Sequence, residues 1–146
     1  MSTMTPMTLA ETVARLEAAT NRLAGARQAL LTAELAALDA RAALETAEAA
    51  LATATLRAQA DAPGTNETQR KAHALAATEA GRLDAARARG GVLEAEKALA
   101  GCKAELRLAD DERRTAEALV GLWQTGVLPA PASSVPYPAA GPDIPF

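Results

Sequence analysis

The chain predicts an all-α fold: a long antiparallel two-helix coiled-coil hairpin with an alanine-rich seam, followed by a proline-rich tail. Three observations predict it. Ala, Leu, Glu and Arg are abundant while aromatics make up 2% of 146 residues, which is the composition of long helices rather than of a mixed fold. The stretches between Pro6 and Pro63 and between Pro63 and Pro129 hold no proline. Along both, large and small apolar residues recur at seven-residue spacing. This length is ordinarily one domain. The expected boundaries are a flexible N-terminus at 1–8, a helical hairpin at 9–128 and a disordered tail at 129–146.

Each helix carries its own start and stop. Thr8 precedes Leu9 and is followed three residues on by Glu11; Asn66 precedes Glu67 and is followed by Gln69. Both spacings fit a capping box, in which paired side chains satisfy free amides of the first turn. They place helices over about 9–61 and 67–125. Asp61-Ala62-Pro63-Gly64-Thr65 separates the two, because proline cannot continue a helix and Gly64 gives the freedom to reverse. Gly126, just ahead of Pro129, closes the second helix. So short a hinge forces the helices antiparallel.

The seam is written in heptads. Leu9, Leu16, Leu23, Leu30, Leu44 and Leu51 share one position, interrupted by Ala37, and Ala19, Ala26, Ala33, Ala40, Ala47 and Ala54 occupy its partner. In the second helix Ala85, Val92, Leu99, Leu106 and Val120 share a position, with Arg113 the exception. Their partner series runs from Ala74 and Gly81 through Ala88, Ala95, Cys102, Ala109 and Ala116 to Trp123. Counting outward from Pro63–Gly64 sets Gly25 near Gly101, and Ala36 and Ala37 near Gly90. Small residues then face small residues, and Gly90-Gly91 reads as close packing or a tolerated kink rather than a functional hinge.

Leucines off the seam, namely Leu31, Leu35 and Leu38 in the first helix and Leu75, Leu83, Leu93, Leu108, Leu119 and Leu122 in the second, form further apolar faces. They predict a homo-oligomer, a dimeric four-helix bundle. The alternative is a solitary hairpin with scattered exposed leucines.

Charge and motifs narrow the function classes. A net charge of −3 and a pI near 5.2 argue against a generally basic nucleic-acid binder but permit a local basic patch. The single Cys102 has no internal disulfide partner, suits a reducing cytosol, and reads as a packed thiol. No basic-then-apolar leader and no membrane-spanning run is present, so the expected location is the cytoplasm. His73, the one histidine, has no ligand partner at metal spacing. Phosphate loops, nucleophile elbows and paired-carboxylate motifs are absent. Asp110-Asp111-Glu112, Arg113-Arg114 and Glu117 read as an internally paired helix face. The expectation is a protein that is not an enzyme and uses no cofactor or metal.

The chain ends Asp143-Ile144-Pro145-Phe146. This resembles the terminal tip of bacterial single-stranded-DNA-binding proteins, an acidic run followed by Ile-Pro-Phe and a free carboxylate. The resemblance implies a docking peptide: Phe146 fills an apolar pocket, its carboxylate pairs with a basic residue, and Asp143 meets basic residues at the rim. Partners implied are host enzymes of replication, repair and recombination that bind such tails. The body departs from that family, whose members carry a β-barrel with base-stacking aromatics. Here Trp123, Tyr137 and Phe146 are the only aromatics. The segment Pro129 to Pro145 reads as a tether that extends the tip's reach, with Tyr137 a second anchor or an ordinary tail residue.

A ligand site is expected at the hairpin turn. Asn66 starts a helix whose free amides and positive dipole end favour an anion. Gln69, Arg70, Lys71 and His73 follow, and Arg57 lies on the last turn of the opposite helix. The alternative is that these residues cap and solubilise a helix start. Thr65 to Lys71, through Asn66, Glu67, Arg70 and Lys71, also resembles the hinge of small helical proteins from phage recombination and replication modules. Together the resemblances imply a phage-type single-stranded-DNA-binding protein, or a replication or recombination accessory protein that recruits host enzymes. Two alternatives stand beside it: a decoy or adaptor that shows the tip without binding DNA, and a structural virion or scaffold coiled coil.

Overall fold

The structure is a computed structural model, and residues 7–64 and 66–126 are described. They form three helices and no strand: α1 (Leu9–Asp61), α2 (Glu67–Ala77) and α3 (Glu79–Gln124). The Thr8–Glu11 capping box forms as expected, whereas Asn66 caps its helix without the expected reciprocal bond to Gln69. The Thr8 amide donates to Glu11 Oε2 at 2.7 Å, and the Glu11 amide donates to Thr8 Oγ1 at 3.2 Å. Asn66 Oδ1 accepts from the Thr68 amide at 2.9 Å. Gly64 and Gly126 adopt φ of +104° and +70°, the left-handed region that a reversal and a helix stop require.

The second expected helix, 67–125, is two helices. At Thr78 (φ −105°, ψ 10°) the hydroxyl donates to the Ala74 carbonyl at 2.6 Å, while the Thr78 amide donates to the same carbonyl at 3.0 Å. Thr20, Thr32, Thr46, Thr53, Thr55 and Thr115 make the same back-bond inside unbroken helix, so the bond accompanies the break at Thr78 without accounting for it. Arg82 Nη2 donates to the Leu75 carbonyl at the interrupted turn, and the Arg82 amide donates to Thr78 O, so the helix resumes. The interruption lasts one residue and the heptad survives it. Ala74, Thr78 and Ala85 are all buried.

The chain divides into two compact units. In the unit 24–107, Arg41 pairs with Glu96 at 2.9 Å and Glu48 with Arg89 at 3.0 Å. Numbers fall on α3 as they rise on α1, so the helices run antiparallel. Leu51 Cδ1 lies 3.3 Å from where a Cβ on Gly81 would stand. Heptad steps from that contact set Leu44 against Ala88 and Leu30 against Cys102, large over small.

The register differs from equal counting about the turn, which would set Leu51 opposite Ala76 rather than Gly81. Seam complementarity decides instead: leucines of α1 meet small residues of α3 only at offsets of whole heptads. Gly25, Gly90, Gly91 and Gly101 consequently do not face a partner. All four are exposed, and a Cβ on any of them would meet nothing within 4 Å. The helix runs straight through Gly90-Gly91 without using them for close packing.

In the other unit the described residues are 7–23 and 108–126. Ala19, Leu23, Ala109 and Ala116 are buried along its seam. Arg22 grips Glu112 through both carboxylate oxygens at 2.6 and 2.7 Å, and Trp123 Nε1 donates to Thr12 Oγ1 at 3.1 Å. Arg113, the seam exception, is half-buried and pairs with Asp110 and Glu117 at 3.4 and 2.6 Å. Its Nε is buried with no hydrogen-bond partner. The off-seam leucines are exposed throughout, apart from the half-buried Leu119.

Candidate functional site

The expected tip Asp143, Ile144, Pro145 and Phe146, the tether before it and Thr65 all lie outside the described residues. The turn is therefore the part of the expected site that the structure describes. α2 begins there because Asn66 Oδ1 accepts from the Thr68 amide in its first turn and Gly64 reverses the backbone.

The turn's cations are gathered, but around an acid. Gln59 from α1 and Glu67, Arg70 and Lys71 from α2 line an open cleft of about 210 Å³. Lys71 Nζ pairs with Glu67 Oε1 at 2.7 Å, with about 70–80% of both side chains exposed. Arg70 Nε folds back onto the Gly64 carbonyl at 2.9 Å. Gln69 Oε1 lies over Gly64, 3.0 Å from an added Cβ. Arg57 and His73 are exposed on α1 and α2 but do not line this cleft.

The chemistry follows from those pairings. An anion placed in the cleft would meet Lys71 and would have to displace or sit beside the Glu67 carboxylate. Exposed ion pairs of this kind are worth about 0–1 kcal/mol, so a phosphate displaces one at small cost. Arg70 is held more firmly, since its bond to Gly64 O shapes the turn itself. Gln59 was not among the residues the sequence pointed to, and nothing in its local pattern marks it. The Glu67–Lys71 pair was readable from its four-residue spacing.

Two other surface clefts have different character. One, of about 270 Å³, is lined by Arg15, Ala18, Ala19, Arg22 and Glu112. The other, of about 480 Å³, lies along Ala43, Ala47, Ala50 and Ala54 beside Gly81. Thr46 and Asp84 also line the second, but the Thr46 hydroxyl donates to the Ala42 carbonyl at 2.9 Å. Among the described residues no group of three or more His, Cys, Asp or Glu is placed to hold a metal ion, and no helix is long and apolar enough to cross a membrane. Compared with protein-family descriptions, curated proteins and solved structures, the chain matches none.

Proposed function

We propose that this is a small helical-hairpin accessory protein of DNA replication or recombination, of phage type, which recruits host DNA-processing enzymes through Asp143-Ile144-Pro145-Phe146. The observation that carries the reading is that sequence, with Phe146 taken as the terminal residue: an aromatic ring, a carboxylate beside it and an acid three residues upstream. The hairpin supplies a carrier. Self-association through its leucine faces would present several tips together and raise avidity without new contacts. The proposed setting is the cytoplasm of a bacterial host, and the proposed protein has no catalytic role of its own.

One observation favours a narrower version, an adaptor or decoy that does not itself hold DNA. At the turn Lys71 is paired with Glu67 and Arg70 is folded onto Gly64 O, which leaves less unopposed positive charge for phosphates. A pull-down from a bacterial lysate tests the shared core of both versions. The intact chain is expected to retain tail-binding enzymes, and a chain lacking Ile144-Pro145-Phe146 to retain none. Equal retention by the two would exclude the docking role and favour a scaffold coiled coil.

A further inference from the structure

The seam that joins α1 to α3 uses one side of α1, and a second heptad series runs along its outer side. It opens with Leu31, Leu35, Leu38 and Ala42. It continues at the same alternating four- and three-residue spacing through Glu45, Ala49 and Ala52 to Leu56. Every member is exposed, with Leu35, Leu38 and Leu56 at 56%, 59% and 69%. The series spans residues 31–56, about 39 Å of helix at 1.5 Å per residue.

We propose that this face pairs with the same face of a second copy of the chain, antiparallel, about a two-fold axis beside the Ala43–Leu44 peptide. The inference rests on the self-association proposed above and names its surface. A two-fold interface must be its own complement under reversal. Reversing the series about that point sets Leu31 against the partner's Leu56 and Leu35 against the partner's Ala52. It likewise sets Leu38 against the partner's Ala49, and Ala42 against the partner's Glu45. Reversal thus places large over small in the Leu35–Ala52 and Leu38–Ala49 layers, while Leu31 and Leu56 close each end of the face with a leucine pair. Leu51 over Gly81 obeys the same rule within the chain. A parallel pairing in register would face alanine with alanine and leave gaps that close packing disfavours.

The charges beside the series agree with the reversal. Arg41 and Glu48 lie along one flank, seven residues apart, and reversal brings each Arg41 within two positions of the partner's Glu48, inside the reach of an arginine side chain. Each keeps its own intrachain mate, Glu96 at 2.9 Å and Arg89 at 3.0 Å, with about half of its side chain exposed (53% and 47%). The result is an alternating network across the interface, of the kind that sets orientation in coiled coils. On the opposite flank the partner residue nearest Asp39 is Thr46, so no like charges meet along that flank. Glu45 is the one charge inside the series. It makes the central layers the weakest.

The test uses the full chain carrying Cys102→Ala. Chains with Leu38→Cys and chains with Ala49→Cys are mixed under mild oxidation, and the mixed disulfide is expected to dominate. Predominant like-with-like crosslinking would overturn the antiparallel register. In light scattering, Leu35→Asp is expected to weaken the dimer by about 100-fold, as losing a buried leucine from each copy implies. Helicity should stay native, because Leu35 lies off the buried seam. Glu45→Leu is expected to tighten the dimer by about tenfold. A dimer indifferent to both changes but dissociated by Leu93→Asp would overturn this face while leaving self-association standing. A monomer at every concentration would overturn both.

Discussion

Trp123 and Thr12 share a hydrogen bond at 3.1 Å, indole nitrogen to hydroxyl oxygen, although 111 residues separate them. The same hydroxyl donates to the Thr8 carbonyl at 2.8 Å, and the Thr12 amide donates to that carbonyl at 2.9 Å. Thr12 is 1% exposed, the largest fully buried side chain among the described residues. It occupies the heptad position that alanines fill further along α1. A polar residue is tolerated there because the indole supplies its donor and the first turn of α1 supplies its acceptor.

Thr12→Val preserves shape while removing both bonds. The half-buried indole N–H then lacks its acceptor, and stability is expected to fall by about 1–2 kcal/mol. Trp123 is the only tryptophan, so its fluorescence reports the change directly. An unaltered melting midpoint together with an unaltered emission maximum would show that the bond is not made in solution.

The exposed glycines invite the opposite change. Gly90 and Gly91 lie inside α3 with nothing within 4 Å of an added Cβ. Each substitution to Ala is expected to stabilise by about 0.5–1 kcal/mol through helix propensity alone. Gly81 differs, because an added Cβ stands 3.3 Å from Leu51 Cδ1. Gly81→Ala should come out near neutral as the flexible leucine end yields, whereas Gly81→Leu should cost about 1–3 kcal/mol by overpacking. Thermal melts of the four variants check the order.

Much of the architecture was legible because heptads and caps are local signals. Thr8 with Glu11, Pro63-Gly64, Asn66 and Gly126 mark the helix ends, and the Leu/Ala alternation marks the buried side. Register was not legible, because it depends on which large residue meets which small one across the pair. Equal counting about the turn ignores that matching. The interruption at Thr78 was hidden for another reason: the other helical threonines, such as Thr20, Thr46 and Thr115, bond back onto their turns in the same way without a break, so the residue type carries no signal. At the candidate site the sequence named the cations of the turn, but not that Glu67 and Gly64 O engage them.

Arg113 stands on the seam where an apolar residue belongs. Its half-buried guanidinium satisfies Asp110 and Glu117 while Nε goes without a partner. Replacing a partly buried, incompletely bonded ion by an apolar side chain of similar length often leaves stability unchanged or improves it. Arg113→Leu is accordingly expected to alter unfolding free energy by less than about 1 kcal/mol, or to raise it. Asp110 loses one mate in that variant but keeps Arg114 at 2.8 Å. A denaturant melt showing a loss above about 3 kcal/mol would mean that the ion pairs hold this seam together.

If the turn binds single-stranded nucleic acid, Lys71 should contribute more than Arg70. Lys71 leaves an exposed pair with Glu67 at little cost, while Arg70 would abandon the Gly64 carbonyl. Glu67→Gln removes the competing carboxylate and is expected to strengthen binding several-fold, with Lys71→Ala weakening it and flattening the dependence on salt. Fluorescence anisotropy with a labelled oligonucleotide, titrated at two salt concentrations, reads both effects. Identical isotherms for Glu67→Gln, Lys71→Ala and the unaltered chain would remove the turn from consideration and leave the adaptor reading.

The docking role stands or falls on Phe146. Deleting it removes an aromatic ring and moves the carboxylate onto Pro145, so affinity for a tail-binding enzyme should collapse rather than decline by degrees. Asp143→Ala should cost far less, since a rim charge mainly speeds encounter and is screened by salt. This chain has Gly141-Pro142 before Asp143, where the tips it resembles carry further acids, so one isolated tip should bind more weakly than theirs. Clustering on the proposed dimer would offset part of that weakness through effective concentration. A competition assay separates these contributions: a labelled tail peptide on a tail-binding helicase or nuclease is challenged with the intact chain, with Asp143→Ala, with the Phe146 deletion and with Leu35→Asp. The expected order of displacement places the intact chain first, Asp143→Ala and Leu35→Asp moderately behind it, and the deletion at background. Should the intact chain displace no more peptide than the deletion, the terminal resemblance carries no function, and the hairpin is better read as a scaffold.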